Sequence, residues 1–242
     1  MASELYLKTL YLDANLNAYY RFSSGGLTTD SKGSYTLTNN NTVADGTGLF
    51  NGGADYGSGN TNKYFSLASS AGIANTGPVT FSMWIKCAAE ISSGSYGLFS
   101  MGISGVNAQM YLSYDYNGGT RRLSFSRVRQ GLAIDNFTYN ATLGTTWHHI
   151  VYQWTGSAVN GWIDNASAGT VASSGGNAGG SSSMAIGQDF INGTYFSGVI
   201  DDAAVFSKSL SGAEIADIYS GTNLRPIDSG SPMLFGGGVT IG

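Results

Sequence analysis

One cysteine and three prolines in 242 residues leave this chain without two common ways of fixing a fold. A lone Cys87, inside the apolar stretch "FSMWIKC", excludes an internal disulfide framework and reads as a buried thiol. Scarce proline leaves backbone N–H groups free to donate, which favours paired strands over coil. Charge is scarce as well: Asp, Glu, Lys and Arg make up 11% of the residues, against about 25% in an average soluble protein. The formal net charge is −4 and the sequence pI is near 4.9, so the chain does not favour nucleic acid. The one cluster of basic residues, Arg121, Arg122, Arg127 and Arg129 in "RRLSFSRVRQ", reads as decoration of one exposed strand and not as a phosphate track. No apolar run approaches the roughly 18–20 residues that membrane insertion requires. The opening "MASELYLKTLYLDANLNAYY" lacks the basic start, apolar run and cleavage site of a secretory leader. A mature form, or exit by another route such as a virus particle released by lysis, is therefore expected.

What is present is glycine, 36 residues of it, with hydrophobic residues at 42% and much of the rest Ser, Thr and Asn. Such a chain can build a core, and its surface is polar but weakly charged, as suits secreted, cell-surface or virion proteins. Short β-branched and aromatic runs recur between turn signals, the pattern of a sandwich or barrel. Strands are expected near "NAYYRF", "GLFNG", "YFSLA", "VTFSMWIKC", "YGLFSMGI", "QMYLSYDY" and "RLSFSRVRQ". More are expected near "AIDNFTYNA", "WHHIVYQWT", "NGWID", "SMAIGQD" and "SGVIDDAAVF". The segment "ELYLKTLYL" fits either a short helix or an edge strand. "LSGAEIADIYSG" carries stronger helix signals: Ser211 with Glu214 three residues on forms a capping box, and Gly221 is a stop. The chain divides into one domain over residues 1–223 and a Gly/Pro-punctuated tail over 224–242. The tail's apolar pieces, Met233 to Phe235 and Val239 to Ile241, are costly to leave in water and would pack on the domain or on a partner.

The only two histidines, His148 and His149, are adjacent. Successive side chains on a strand point to opposite faces, so packing in a sheet is favoured over a shared metal. Catalytic patterns are missing too. Glycosidic cleavage needs two carboxyl groups about 5–10 Å apart, and on one strand only alternate residues share a face. The three glutamates, Glu4, Glu90 and Glu214, are scattered, and Asp201 and Asp202 are adjacent. No nucleophile elbow, P-loop or zinc spacing occurs, so no catalytic residue is assigned and an enzyme is disfavoured.

Sugar binding asks for an aromatic plane ringed by hydroxyl-pairing groups. "YLSYDYNGGTRR" gathers Tyr111, Tyr114, Asp115, Tyr116, Asn117 and Arg121 about a hairpin tip. "GQDFINGTYF" supplies Gln188, Asp189, Phe190, Asn192 and Tyr195. The candidate ligand set is Tyr114, Asp115, Tyr116, Asn117, Arg121, Asp189 and Tyr195. For any single one of these tyrosines, packing on the sheet as a cross-strand pair is the favoured reading.

The order of segments resembles LamG-like domains of the concanavalin A-like lectin/glucanase superfamily. "LYLDANLNAYYRFSSGGLTTDSKG" is similar to that family's opening, "TFSMWIK" to an inner strand, and "TTWHHIVYQWTGSAVNGWIDN" to its Trp-His-His-Val strand and hairpin. "FSGVIDDAAVFSKSLSGAEIADIYSG" is similar to the closing strand and capped helix. The resemblance implies an all-β jelly roll of two antiparallel sheets, with Trp147 and His149 at core positions. It also implies a structural calcium ion held by Asp30 and Asp201, weighed against the alternative that Asp30 caps a turn and Asp201 bonds backbone amides. Fold alone does not fix activity. The expected function is a non-catalytic carbohydrate-binding module on a virion or microbial surface. The alternative is a capsid decoration or tail component that assembles through its C-terminal tail.

Overall fold

The computed structural model describes residues 10–11, 13–50, 52–59, 62–68, 77–103, 106–129, 133–173, 183–189 and 192–221. Its elements are β1 (Leu16–Tyr20), β2 (Thr38–Asn40), β3 (Ala44–Gly46), β4 (Gly53–Gly57), β5 (Tyr64–Leu67) and β6 (Val79–Cys87). Then come β7 (Gly94–Ile103), β8 (Val106–Asn117), β9 (Thr120–Val128), β10 (Ile134–Asn140), β11 (His148–Trp154) and β12 (Ala158–Ile163). The rest are β13 (Ala166–Ala172), β14 (Ser183–Ile186), β15 (Gln188–Asp189), β16 (Thr194–Tyr195), β17 (Gly198–Phe206) and a helix, α1 (Gly212–Tyr219). An eight-stranded sheet runs β13-β12-β11-β6-β17-β4-β3, with β1 also paired to β17. A seven-stranded sheet runs β10-β9-β8-β7-β14-β5-β2, and β15-β16 form a separate ribbon. The pairings are antiparallel, giving the expected two-sheet sandwich with a helix near the C-terminal end. The N-terminal segment read as helix or edge strand lies outside the described residues except for Leu10 and Tyr11, which form a turn.

The sandwich closes because alternate residues of each sheet are apolar and face each other. Phe81, Met83 and Ile85 of β6 and Ile150, Tyr152 and Trp154 of β11 meet Phe99, Leu112, Phe125 and Ile186 from the other sheet. Phe81 stacks on Phe99 at 3.7 Å between ring centroids. Each such side chain contributes about 1.5–3 kcal/mol by leaving water. The arginine cluster departs from the expected exposed decoration, because Arg127 points inward and is 1% exposed. Its guanidinium lies 4.3 Å from the centre of the Trp154 ring and donates to Ser173 Oγ at 2.9 Å. Ser173 in turn donates to Asp135 Oδ2, which also takes an ion pair from Arg129.

The outer face of the eight-stranded sheet is covered. Ile215 and Ile218 of α1, with Leu210, Leu16 and Leu10, pack over Val151, Ala204 and Phe206. The helix starts as the sequence predicts: Ser211 Oγ accepts from Glu214 N, and the Glu214 side chain accepts from Ser211 N. Lys208 ties this end down by pairing with both Asp13 and Glu214. The histidines diverge as strand geometry requires. His148 pairs with Asp164 at 2.7 Å, while His149 is fully buried between Trp84 and Tyr219, with Nε2 2.8 Å from Ser82 Oγ. Trp147 departs from its expected core position: it is half-buried, with Lys86 Nζ 5.5 Å above its ring.

Leu49 and Phe50 of "GLFNG" form a bend and not a strand, because a carboxylate takes their amides. Asp201 Oδ2 accepts from Leu49 N at 2.8 Å and Phe50 N at 3.1 Å, and Asp201 Oδ1 from Asp202 N at 2.8 Å. Asp30 does similar work. Its Oδ1 accepts from the amides of Tyr19 and Lys32, and its Oδ2 from those of Ser34 and Tyr35. These hydrogen bonds match the alternative weighed against calcium, in which each aspartate braces a turn. Among the described residues no group of three or more His, Cys, Asp or Glu is arranged to hold a metal. Chelator is therefore expected to leave the melting temperature unchanged, whereas Asp30→Ala strands buried amides and lowers stability by about 2–3 kcal/mol. A fall in melting temperature with EDTA, restored by calcium, would reverse this assignment.

Burial pushes His149 down to about 4, opposed weakly by the Asp164 carboxylate. The unfolded ring takes a proton below its ordinary value near 6.5, and the folded ring does not. Stability is therefore whole above about pH 6.5 and declines as pH falls towards 4, by about 3 kcal/mol at most. Urea unfolding at pH 7.5 and pH 5 checks this: His149→Phe is expected to show a smaller loss between the two pH values than the unaltered chain.

Candidate functional site

The outer face of the seven-stranded sheet is polar, and the pleat explains which residues reach it. In β8, Leu112 and Tyr114 enter the core, so Tyr111, Ser113 and Asp115 point the other way. The turn at Gly118 and Gly119, with φ of 59° and 85°, is a tight two-residue connection that suits glycine. It sets Tyr116 opposite Arg121, Asp115 opposite Arg122 and Ser113 opposite Ser124. β10 continues the face, setting Asn140 beside Arg122, Thr138 beside Ser124 and Asn136 beside Ser126. All three of these β10 residues are exposed.

Asp115 anchors the face. It accepts hydroxyl protons from Ser95 of β7, Ser113 of β8 at 3.1 Å and Ser124 of β9 at 2.5 Å. Three donors from three strands hold the half-buried carboxylate in one orientation. Beside it, burial and the charges of Asp189 and Asp115 raise the Tyr111 phenol above its ordinary value, against a hydrogen bond with Ser126. Arg122 is half-buried, and its Nε–H is buried without an acceptor among the described residues.

The ribbon β15-β16 rests on this face. An added Cβ at Gly97 of β7 would meet Asp189 N at 2.2 Å and Thr194 O at 2.4 Å, so only glycine admits the ribbon backbone. Ser100 Oγ fixes the ribbon's base by donating to Gln188 O at 2.9 Å. Asp189 faces Tyr111 of β8, while Tyr195 meets Tyr64 of β5 at 5.9 Å between ring centres. The ribbon thus spans β7 and β14 and divides the face in two.

Sequence reasoning brought together residues that the pleat separates. Tyr114 is a core residue: its hydroxyl donates to Glu90 and accepts from Leu143 N at 3.2 Å. Tyr116 packs against the core and carries Arg121 over its ring at 5.4 Å. Arg121 also pairs with Glu90 and donates to Ile91 O, on the side away from Asp115. Glu90 Oε2 accepts from Gly144 N at 2.5 Å, completing a knot between loops. Asp189 is fully buried and accepts from the Asn192 amide at 2.6 Å, so it serves the ribbon. Asn117 is exposed at the hairpin tip. Of the predicted set, Asp115 is half-buried on the polar face and Tyr195 is half-buried across the ribbon. Arg122, Asn136, Thr138 and Asn140 were missed, although "NGGT" fixes the register that places Arg122 opposite Asp115. Phe190 and the tail over 224–242 lie outside the described residues.

Solved structures with the same fold include domain 4 of AbnA, an extracellular arabinanase from Geobacillus stearothermophilus, in complex with arabinotriose. The TM-score is 0.62 at 18% identity, covering 85% of this chain and 98% of that one. The binding domain of Paraclostridial Mosquitocidal Protein 1 gives 0.68 at 13% identity, covering 86% and 52%. The binding domain of botulinum neurotoxin DC in complex with SialylT gives 0.65 at 11%, covering 86% and 51%. The chain thus spans about half the length of these two toxin domains, and at such identities the likeness is one of fold. No curated protein matches the chain by sequence. A family model described as the concanavalin A-like lectin/glucanases superfamily matches residues 57–216, and with the two-sheet architecture this settles the lineage: the chain belongs to that superfamily.

Proposed function

We propose that this domain is a non-catalytic carbohydrate-binding module and that the outer face of the seven-stranded sheet takes the glycan. The observation that carries the reading is Asp115: a half-buried carboxylate fixed by three serine hydroxyls, cross-strand from Arg122, with the exposed Asn136, Thr138 and Asn140 further along the same face. Fixed acceptors and donors beside an aromatic residue are what a polyhydroxylated ligand needs. The same geometry speaks against cleavage, because Asp115 is engaged by serines and Asp189 is fully buried within the ribbon. The fold relatives support binding as well, since one is named with arabinotriose and another with SialylT. Among the described residues no helix is long and apolar enough to cross a membrane. The polar, weakly charged surface and a relative named as extracellular support a place outside the cell, on a microbial or particle surface.

Pull-down on arabinan, galactan and β-glucan, followed by calorimetry on whatever is retained, tests the reading. The unaltered chain should bind at least one, and Asp115→Ala should weaken it about tenfold, about 1.4 kcal/mol. Tyr114→Phe should leave affinity intact while lowering stability by about 1–2 kcal/mol, because it removes a hydrogen bond from the Glu90 knot. No retention on any polysaccharide would defeat the proposal, and a folded Asp115→Ala protein that binds normally would move the site elsewhere.

A further inference from the structure

The polar face holds one acceptor and one donor on adjacent strands, and the fold keeps them from spending themselves on each other. Arg122 and Asp115 are direct cross-strand partners on β9 and β8. Such partners have Cβ atoms about 5 Å apart, close enough for an ion pair. Asp115 is instead turned to the hydroxyls of Ser95, Ser113 and Ser124. A carboxylate offers about four lone-pair sites, so three hydroxyls leave room for one more donor. The Arg122 Nε–H is buried without an acceptor among the described residues. That nitrogen is enclosed, so a ligand would meet the outer guanidinium N–H groups of this half-buried side chain.

We propose that Asp115 and Arg122 clasp two neighbouring hydroxyls of one sugar ring, and that the face selects neutral glycans over their acidic counterparts. This rests on the carbohydrate reading above. One hydroxyl donates to the remaining Asp115 site, and its neighbour accepts from the Arg122 guanidinium. A sugar hydroxyl can do either, so a vicinal pair satisfies both residues without adding charge. A sugar carboxylate can only accept. Seated on Arg122, it would stand beside the Asp115 carboxylate, with Asp189 behind Tyr111 as a second negative charge. Repulsion from these two opposes the attraction of the single arginine, and no second cation is cross-strand from Arg122, whose β10 partner is Asn140.

Matched ligands test this: polygalacturonan against its carboxyl-reduced form, and sialylated fetuin against asialofetuin. Each is titrated with the unaltered chain, Asp115→Asn and Arg122→Gln, with melting curves to confirm folding. The unaltered chain should bind the neutral member of a pair about tenfold more tightly, and Arg122→Gln should weaken that binding by a similar factor. Asp115→Asn should weaken neutral binding and shrink the neutral-to-acidic ratio, because it removes the repelling charge. Tighter binding of the acidic members, or variants that bind like the unaltered chain, would overturn the clasp while leaving the carbohydrate reading standing. Silence towards both members of every pair, and towards arabinan, galactan and β-glucan, would remove that reading and the clasp with it.

Discussion

The two-residue period of β8 and β9 is the constraint on which the polar face depends. Both strands put one row of side chains into the sandwich and the other onto the outside, and the Gly118-Gly119 turn fixes which row is which. Leu112, Leu123 and Phe125 gain by leaving water, and that gain holds the register. A slip of one residue would drive Asp115 and Arg122 into the core and turn Leu112 and Tyr114 outward. The hydrophobic core therefore orients the polar residues, which need contribute little to the fold themselves.

The two sheets use their outer faces differently. On the eight-stranded sheet the outward residues include Val151, Phe206 and His149, and they require the cover that α1 and the neighbouring turn supply. On the seven-stranded sheet they include the buried Ser113 and Ser124, the half-buried Asp115 and Arg122, and the exposed Asn136, Thr138 and Asn140, so this face is polar and opens towards β10. Buried polar groups are nevertheless handled locally throughout. Asp30 and Asp201 gather backbone amides, Gln153 donates to Leu210 O beneath the helix, and Arg127 lies against Trp154.

Much of the architecture was legible because long alternating strands and the Ser211–Glu214 capping box are local signals. The losses have physical causes. β13, "ASAGTVA", is small and polar and becomes a strand through its ladder to β12. β2 and β3 are three residues each and carry no period. "SMAIGQD" broke at Gly187, whose φ of 82° turns the chain out of β14 into the ribbon. At the proposed site, Asp115, Tyr114 and Tyr116 were grouped by proximity along the chain, which ignores the pleat that turns the two tyrosines away from Asp115. Arg127 was misread for the complementary reason: nothing in "RRLSFSRVRQ" announces that Trp154 and Ser173, far along the chain, will enclose it.

Gly97 gives the ribbon an unusual foundation. Main chain rests there directly on main chain, with no side chain between, so the height of the ridge above the sheet is set by a single hydrogen atom. A methyl group at that position would pry β15-β16 upward and merge the Tyr111 and Tyr64 sides into one wide trough. Relatives that differ at this one position would therefore present surfaces of different breadth, with the sandwich beneath unaltered.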